Sequence, residues 1–259
     1  MPLVVANGAR LFYRLDGPPE APVLLLSNSL GTQLEMWDSQ LPDFAARFRV
    51  LRYDSRGHGR SEVLPGPYRI TDLGRDALAL LDALGVGGVR FCGLSMGGMV
   101  GMWLGTHAPE RIERLVLCNT SAQIGTPELW NSRIELVRRG SMEAVTPAVL
   151  ERWFTSDFRS RAPQAVEKVR RMLLTTSPEG YAACCAALRD MDQRDAIASI
   201  RAPTLVIAGA HDPATPPTDA RAIAGRIPGA TLMELEAAHL SNIEAADQFT
   251  ATVLEFLNR

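Results

Sequence analysis

FCGLSMGGM, residues 91–99, decides how this chain folds. It contains Gly93-x-Ser95-x-Gly97, directly after the apolar run Val89 to Gly93 and directly before the helix-like GMVGMWLGTHAPE. Five residues of this kind recur by chance, so the position between a strand and a helix carries the information. The residues two before and two after the serine are small because a sharp strand-to-helix turn brings the backbone against its neighbours. The same turn holds the serine in a strained conformation. Its hydroxyl then stands at the end of a strand, beside a helix N-terminus that favours developing negative charge. On this reading Ser95 is a nucleophile.

Working outward, further apolar runs recur at Val23 to Leu26, Val50 to Tyr53, Leu115 to Asn119, Thr204 to Ala208 and Thr231 to Leu235. Helical patterns lie between them, such as Leu73 to Leu84, with Leu73, Ala77, Leu80, Leu81 and Leu84 on one face. Alternating strands and helices make an α/β chain with a mostly parallel sheet covered on both sides. LVVANGARLFYR pivots on Asn7-Gly8, the dipeptide that suits a tight hairpin, and predicts an antiparallel N-terminal edge. From Gly125 to Asp195 no strand pattern is convincing. That segment holds amphipathic stretches bearing Arg133, Arg138, Arg139, Arg152, Arg170 and Arg171. It reads as a helical cap, residues 125–195, inserted into a core of residues 1–124 and 196–259. The arginines read equally well as solvated surface charges.

Composition narrows the function. The 259 residues can bury one large core, or a core and a smaller attachment. A formal charge of -2 without a Lys/Arg stripe offers nothing to neutralise nucleic-acid phosphates. MPLVVANGAR lacks the basic-then-apolar order of a secretory signal, and the uncharged stretch Phe91 to His107 is interrupted by five glycines. The expectation is a cytoplasmic protein with no membrane span. Cys92, Cys118, Cys184 and Cys185 show no C-x-x-C spacing and read as reduced and buried. Scattered histidines with no His-x-x-x-His or Cys/His cluster argue against a metal. Monomer and homo-oligomer are both compatible with the sequence.

A serine hydroxyl needs a base, and the base an orienting carboxylate. Of four histidines, His58 lies in a glycine turn (DSRGHGRS) and reads as structural. His107 ends a helix and should meet solvent, and His211 neighbours Asp212 in a loop. His239, in LEAAHLSNIE, follows the last strand and precedes a final helix over Ala245 to Leu257, which makes it the base. Asp212, in TLVIAGAHDPATPP, follows a buried strand and supplies the acid. Alone, Asp212 could be a turn residue and His239 a helix-flanking polar group. Together they complete the chain order Ser, Asp, His at strand ends.

At this point the chain resembles the α/β-hydrolases. Through SNSLGTQLEMWDSQL, RYDSRGHGRSE, FCGLSMGGMVGMWLG, PERIERLVLCNTSAQIGT, ERWFT, GYAACCAALRDMDQRD and AAHLSNIE it resembles the 3-oxoadipate enol-lactonases of bacterial aromatic degradation. The similarity covers essentially the whole chain. It implies a cofactor-free esterase of the β-ketoadipate pathway, acting on a small anionic enol-lactone with Ser95, Asp212 and His239 as triad. Many relatives carry His-Gly in the loop after the first buried parallel strand, where this chain has Asn28 and Ser29. Oxyanion donors are backbone amides in such enzymes, so the function survives; alignment gives the amides of Leu30 and Met96. Asn28 and Ser29 then read as residues that fix the turn.

A substrate carboxylate calls for a cation or several donors near an otherwise apolar wall. Trp130 and Arg133 are three apart on a helical stretch and share a face. Trp130 either flanks the lactone ring or fills the core; Arg133 either meets the carboxylate or is solvated. RWF, Arg152 to Phe154, is another candidate lining. A general carboxylesterase, a cofactor-free perhydrolase or a carbon–carbon bond hydrolase would share the triad, and a non-catalytic binding protein would share the fold.

Overall fold

The computed structural model describes residues 2–259. Among them eight strands form one sheet: β1 (Leu3–Ala6), β2 (Ala9–Asp16), β3 (Val23–Ser27), β4 (Arg49–Tyr53), β5 (Val89–Leu94), β6 (Ile112–Cys118), β7 (Thr204–Gly209) and β8 (Thr231–Leu235). Their spatial order is β1-β2-β4-β3-β5-β6-β7-β8. β1 and β2 are antiparallel, and every pair from β4 across to β8 is parallel. Asn7 and Gly8 take φ of 48° and 77°, the left-handed pair that a two-residue hairpin needs to match strand twist.

Helix α1 (Leu41–Ala45) joins β3 to β4, α2 (Ile70–Ala83) joins β4 to β5, and α3 (Met96–His107) joins β5 to β6. Between β6 and β7 run α4 (Pro127–Gly140), α5 (Thr146–Trp153), α6 (Ser156–Arg161), α7 (Pro163–Thr175) and α8 (Pro178–Asp190), without a strand. α9 (Pro217–Arg226) joins β7 to β8, and α10 (Ser241–Glu244) and α11 (Ala246–Leu257) follow.

From β3 the chain steps to β4 in one direction, then returns past β3 to β5 and continues the other way. Right-handed crossovers place the helices of the two directions on opposite faces of the sheet. Accordingly α1 packs with α11, and α2 with α3. The reversal leaves a crevice at the carboxyl ends of β3 and β5, the switch point where ligands enter such sheets.

The core follows from the runs read in the sequence. Leu24, Leu25 and Leu26 and every residue of β7 are buried. On α2, Leu73, Ala77, Leu80 and Leu81 are buried; Leu84, at the helix end, is partly so. The run expected over Leu115 to Asn119 instead begins at Ile112 and ends at Cys118. Glu113 and Arg114, at the outer end of the strand, interrupt its apolar pattern, and Asn119 turns to φ 44°. The four cysteines are free and buried.

Candidate active site

Ser95 sits between β5 and α3 with φ 58° and ψ -116°, left-handed backbone that a serine adopts only when its surroundings force it. Its N–H donates to the Cys118 carbonyl at 2.9 Å. Its own carbonyl accepts from Thr120 Oγ1 at 2.8 Å, so the end of β6 grips the elbow on both sides. Gly97 is required by close approach: a Cβ there would be driven into the carbonyl of Ser27.

The loop after β7 delivers Asp212. Its Oδ1 accepts the amides of Ala214 and Thr215 at 2.8 and 3.0 Å. Its Oδ2 lies 2.8 Å from His239 Nδ1 and also accepts from Thr215 Oγ1 at 2.7 Å and Asn119 Nδ2 at 3.0 Å. Burial by itself would raise this carboxyl, but His239 and the Thr215 hydroxyl and amide outweigh it and hold the group below its usual value. An ionised carboxylate only accepts, so in the neutral imidazole the hydrogen sits on His239 Nδ1 and Nε2 keeps its lone pair. Asn119, which the sequence reading did not single out, also donates to the Ala238 carbonyl and accepts from Ser241 Oγ. It thereby joins the loops that carry Asp212 and His239. Nothing in its spacing marks it; only its place at a strand end does.

Ser95 and His239 face the same cavity of about 330 Å³. Among the described residues no hydrogen bond joins them, and catalytic contacts of this kind often tighten only around bound substrate. The loop after β3 adds Ser29 and Leu30 to the cavity wall. The amides of Ser29, Gly31 and Thr32 are taken by Met36 Sδ, His58 Nε2 and the Ser29 carbonyl. The Leu30 amide has no acceptor among the described residues, and Leu30 lines the cavity. Met96, which follows Ser95, is the first residue of α3, where N–H groups have no intrahelical partner. Asn28 does hold the turn, donating to the Tyr53 carbonyl at 2.7 Å and accepting from Trp37 Nε1 at 2.9 Å. Ser29 holds it only through its main chain; its hydroxyl is buried without a partner among the described residues.

Trp130 and Arg133 of α4 both line the cavity. Trp130 is buried, its Nε1 donating to the Ile124 carbonyl at 2.8 Å, and the Arg133 guanidinium lies over its ring, 5.0 Å from the centroid. Arg152 of α5 lines the same cavity and is half-buried, and neither arginine forms an ion pair among the described residues. Burial, and after it the charge of Arg133, pulls Arg152 below the ordinary arginine value. The neighbouring Arg139, Arg161, Arg170, Arg171 and Arg189 each pair with a carboxylate instead. A groove of about 740 Å³ between α4, α8 and residues 64–67 is larger, but neither Ser95 nor His239 lines it.

The other histidines separate cleanly. His107 is exposed and stacks on Trp103, and His211 is exposed beside Glu236. His58 is buried and touches the loop after β3. Among the described residues no group of three His, Cys, Asp or Glu is placed to hold a metal.

The alpha/beta hydrolase fold family matches residues 22–246, and the chain belongs to that family. It is 42% identical over 256 residues to 3-oxoadipate enol-lactonase 2 of Acinetobacter baylyi, covering 99% of this chain and 96% of that one. It is 38% identical to 3-oxoadipate enol-lactonase 1 of the same organism, covering 94% and 91%. The crystal structure of the enol-lactonase from Burkholderia xenovorans LB400 superposes with a TM-score of 0.98 at 47% identity, over the full length of both chains.

Proposed function

We propose that this chain is a serine hydrolase that opens 3-oxoadipate enol-lactone to 3-oxoadipate, with Ser95 as nucleophile, His239 as base and Asp212 as the orienting acid. The observation that carries the chemistry is the Asp212–His239 pair at 2.8 Å, with His239 facing a cavity it shares with a strained elbow serine. The two relatives named 3-oxoadipate enol-lactonase support the substrate.

His239 Nε2 takes the Ser95 hydroxyl proton as Oγ bonds to the lactone carbonyl carbon, and the amides of Leu30 and Met96 hold the oxyanion. Collapse breaks the ring C–O bond, and His239 returns its proton to the departing enol oxygen. In an ordinary lactone that tethered oxygen could attack back. The enol instead tautomerises to a ketone and loses its nucleophilicity. Water, deprotonated by His239, then attacks the acyl-enzyme and frees the carboxylate and Ser95.

Trp130 flanks the ring, and Arg133 meets the substrate carboxylate with Arg152 beside it. Both arginines line the cavity and are half-buried, which favours this role over that of solvated charges. Arg133→Ala is expected to raise KM for the enol-lactone about 10- to 100-fold, the weight of one charge-assisted hydrogen bond, with little change in kcat. Steady-state kinetics check it, with an uncharged ester as control whose KM should not move. Residues 125–195 serve in this reading as the cap of a core made by 1–124 and 196–259. No helix among the described residues is long and apolar enough to cross a membrane, and the reading places the enzyme in the cytoplasm, free of cofactor.

The decisive measurement is the loss of enol-lactone absorbance, with substrate made in situ from muconolactone, alongside p-nitrophenyl acetate and peracid assays. Rapid loss of the enol-lactone is the expected result. Hydrolysis of the p-nitrophenyl ester without it would leave a general carboxylesterase, and peracid formation a perhydrolase.

A further inference from the structure

Gly31, one residue beyond the amide assigned to the oxyanion hole, is held from two sides. Its N–H donates to His58 Nε2 at 2.8 Å, and its carbonyl accepts from Thr176 Oγ1 at 3.2 Å. The other ring nitrogen, His58 Nδ1, lies 3.2 Å from the Arg56 carbonyl. A carbonyl only accepts, so Nδ1 carries the hydrogen and Nε2 presents its lone pair to Gly31. An imidazolium would turn an N–H toward an N–H.

We infer that His58 is a positioning residue for the oxyanion hole: as a neutral imidazole it fixes the Leu30–Gly31 peptide and thereby aims the adjacent Leu30 amide at the developing oxyanion. The inference rests on the role proposed above for Leu30. Burial pushes His58 down to about 4, which keeps it neutral near neutral pH.

The seat of His58 is rigid. The Arg56 guanidinium pairs with Asp76 of α2, both of them buried, and the Gly57 amide donates to the Glu62 carbonyl at 2.9 Å. Gly57, at φ 77°, lies so close to α8 that a Cβ on it would stand 2.7 Å from Gly180 Cα. A turn pinned in this way cannot follow the loop, so the loop conforms to the turn. A fully buried imidazole is also costly where an apolar side chain would fill the same space. Its ring nitrogens meet only the Arg56 carbonyl and the Gly31 amide among the described residues.

Three variants test this. His58→Gln carries an acceptor out to the position of Nε2, His58→Asn is one bond too short to reach Gly31, and His58→Leu has no acceptor. With Asn and Leu, kcat is expected to fall about 100-fold while KM stays within about threefold, since one oxyanion donor contributes about 10²- to 10³-fold to the transition state alone. Gln is expected to stay within about tenfold of the wild-type kcat. Asn leaves the Gly31 amide unpaired and the site one methylene short, so it should melt below Gln; a purely structural loss would not lower the kcat of the folded enzyme at unchanged KM. This pair decides the matter even if His58→Leu does not fold. Equal kcat for Asn and Gln, or a loss confined to KM, would overturn the inference. Each variant is assayed on the enol-lactone and on p-nitrophenyl acetate. If the wild type hydrolyses only the ester, the substrate reading fails and the ester still decides the role of His58.

Discussion

Ser95→Ala is expected to lower kcat on the enol-lactone about a millionfold, and His239→Ala by a comparable factor, as in other serine hydrolases. The two losses should not add. Without the base the hydroxyl at the elbow is an ordinary alcohol, and without the hydroxyl the base has nothing to activate. A Ser95→Ala/His239→Ala double variant should therefore be no slower than either single variant, as steady-state kinetics on the three proteins will show. A fluorophosphonate should label the wild type and leave Ser95→Ala untouched. Labelling of Ser95→Ala would place the nucleophile elsewhere.

Asp212→Asn is expected to cost about 10⁴-fold in kcat, because the imidazole stays in place in the wrong tautomer. Every group around the carboxylate is a donor: two amides, the Thr215 hydroxyl, Asn119 Nδ2 and His239 Nδ1. A carboxamide there sets its own NH₂ against those donors. The direction that relieves the clash puts the His239 hydrogen on Nε2, where it blocks uptake of the serine proton. KM should change little, since Asp212 does not face the cavity. Wild-type turnover in the Asp212→Asn variant would remove Asp212 from the role of acid.

The proposed triad is readable from the sequence because each member obeys a local rule. The elbow demands small residues at 93 and 97, and the acid and base follow apolar runs short enough to be buried strands. What the sequence conceals depends on distance along the chain. Arg152 sits at a helical position where solvent and cavity are equally good destinations, and only the docking of α5 chooses between them. His58 belongs to a glycine turn, as its neighbours in the sequence indicate. Its bond to Gly31, 27 residues away, has no counterpart in spacing or periodicity. Ser29 shows the converse: a residue type that favours turns, yet one whose hydroxyl does no turn-fixing. Propensity predicts what a side chain tends to do next to its own backbone, and the bonds of His58 to Gly31 and of Asn119 to Asp212 reach far beyond that.

The backbone of Ser95, at φ 58°, has a bearing on how this enzyme can be improved. Left-handed conformations of this sort cost a non-glycine residue about 1–3 kcal/mol, and glycine avoids most of that. The proposed nucleophile therefore occupies a position at which the fold itself would prefer a different amino acid. Libraries screened only for heat resistance will drift toward glycine at this position and accumulate robust, inert proteins. Thermal selection on this scaffold has to be run under catalytic selection, with Ser95 held constant.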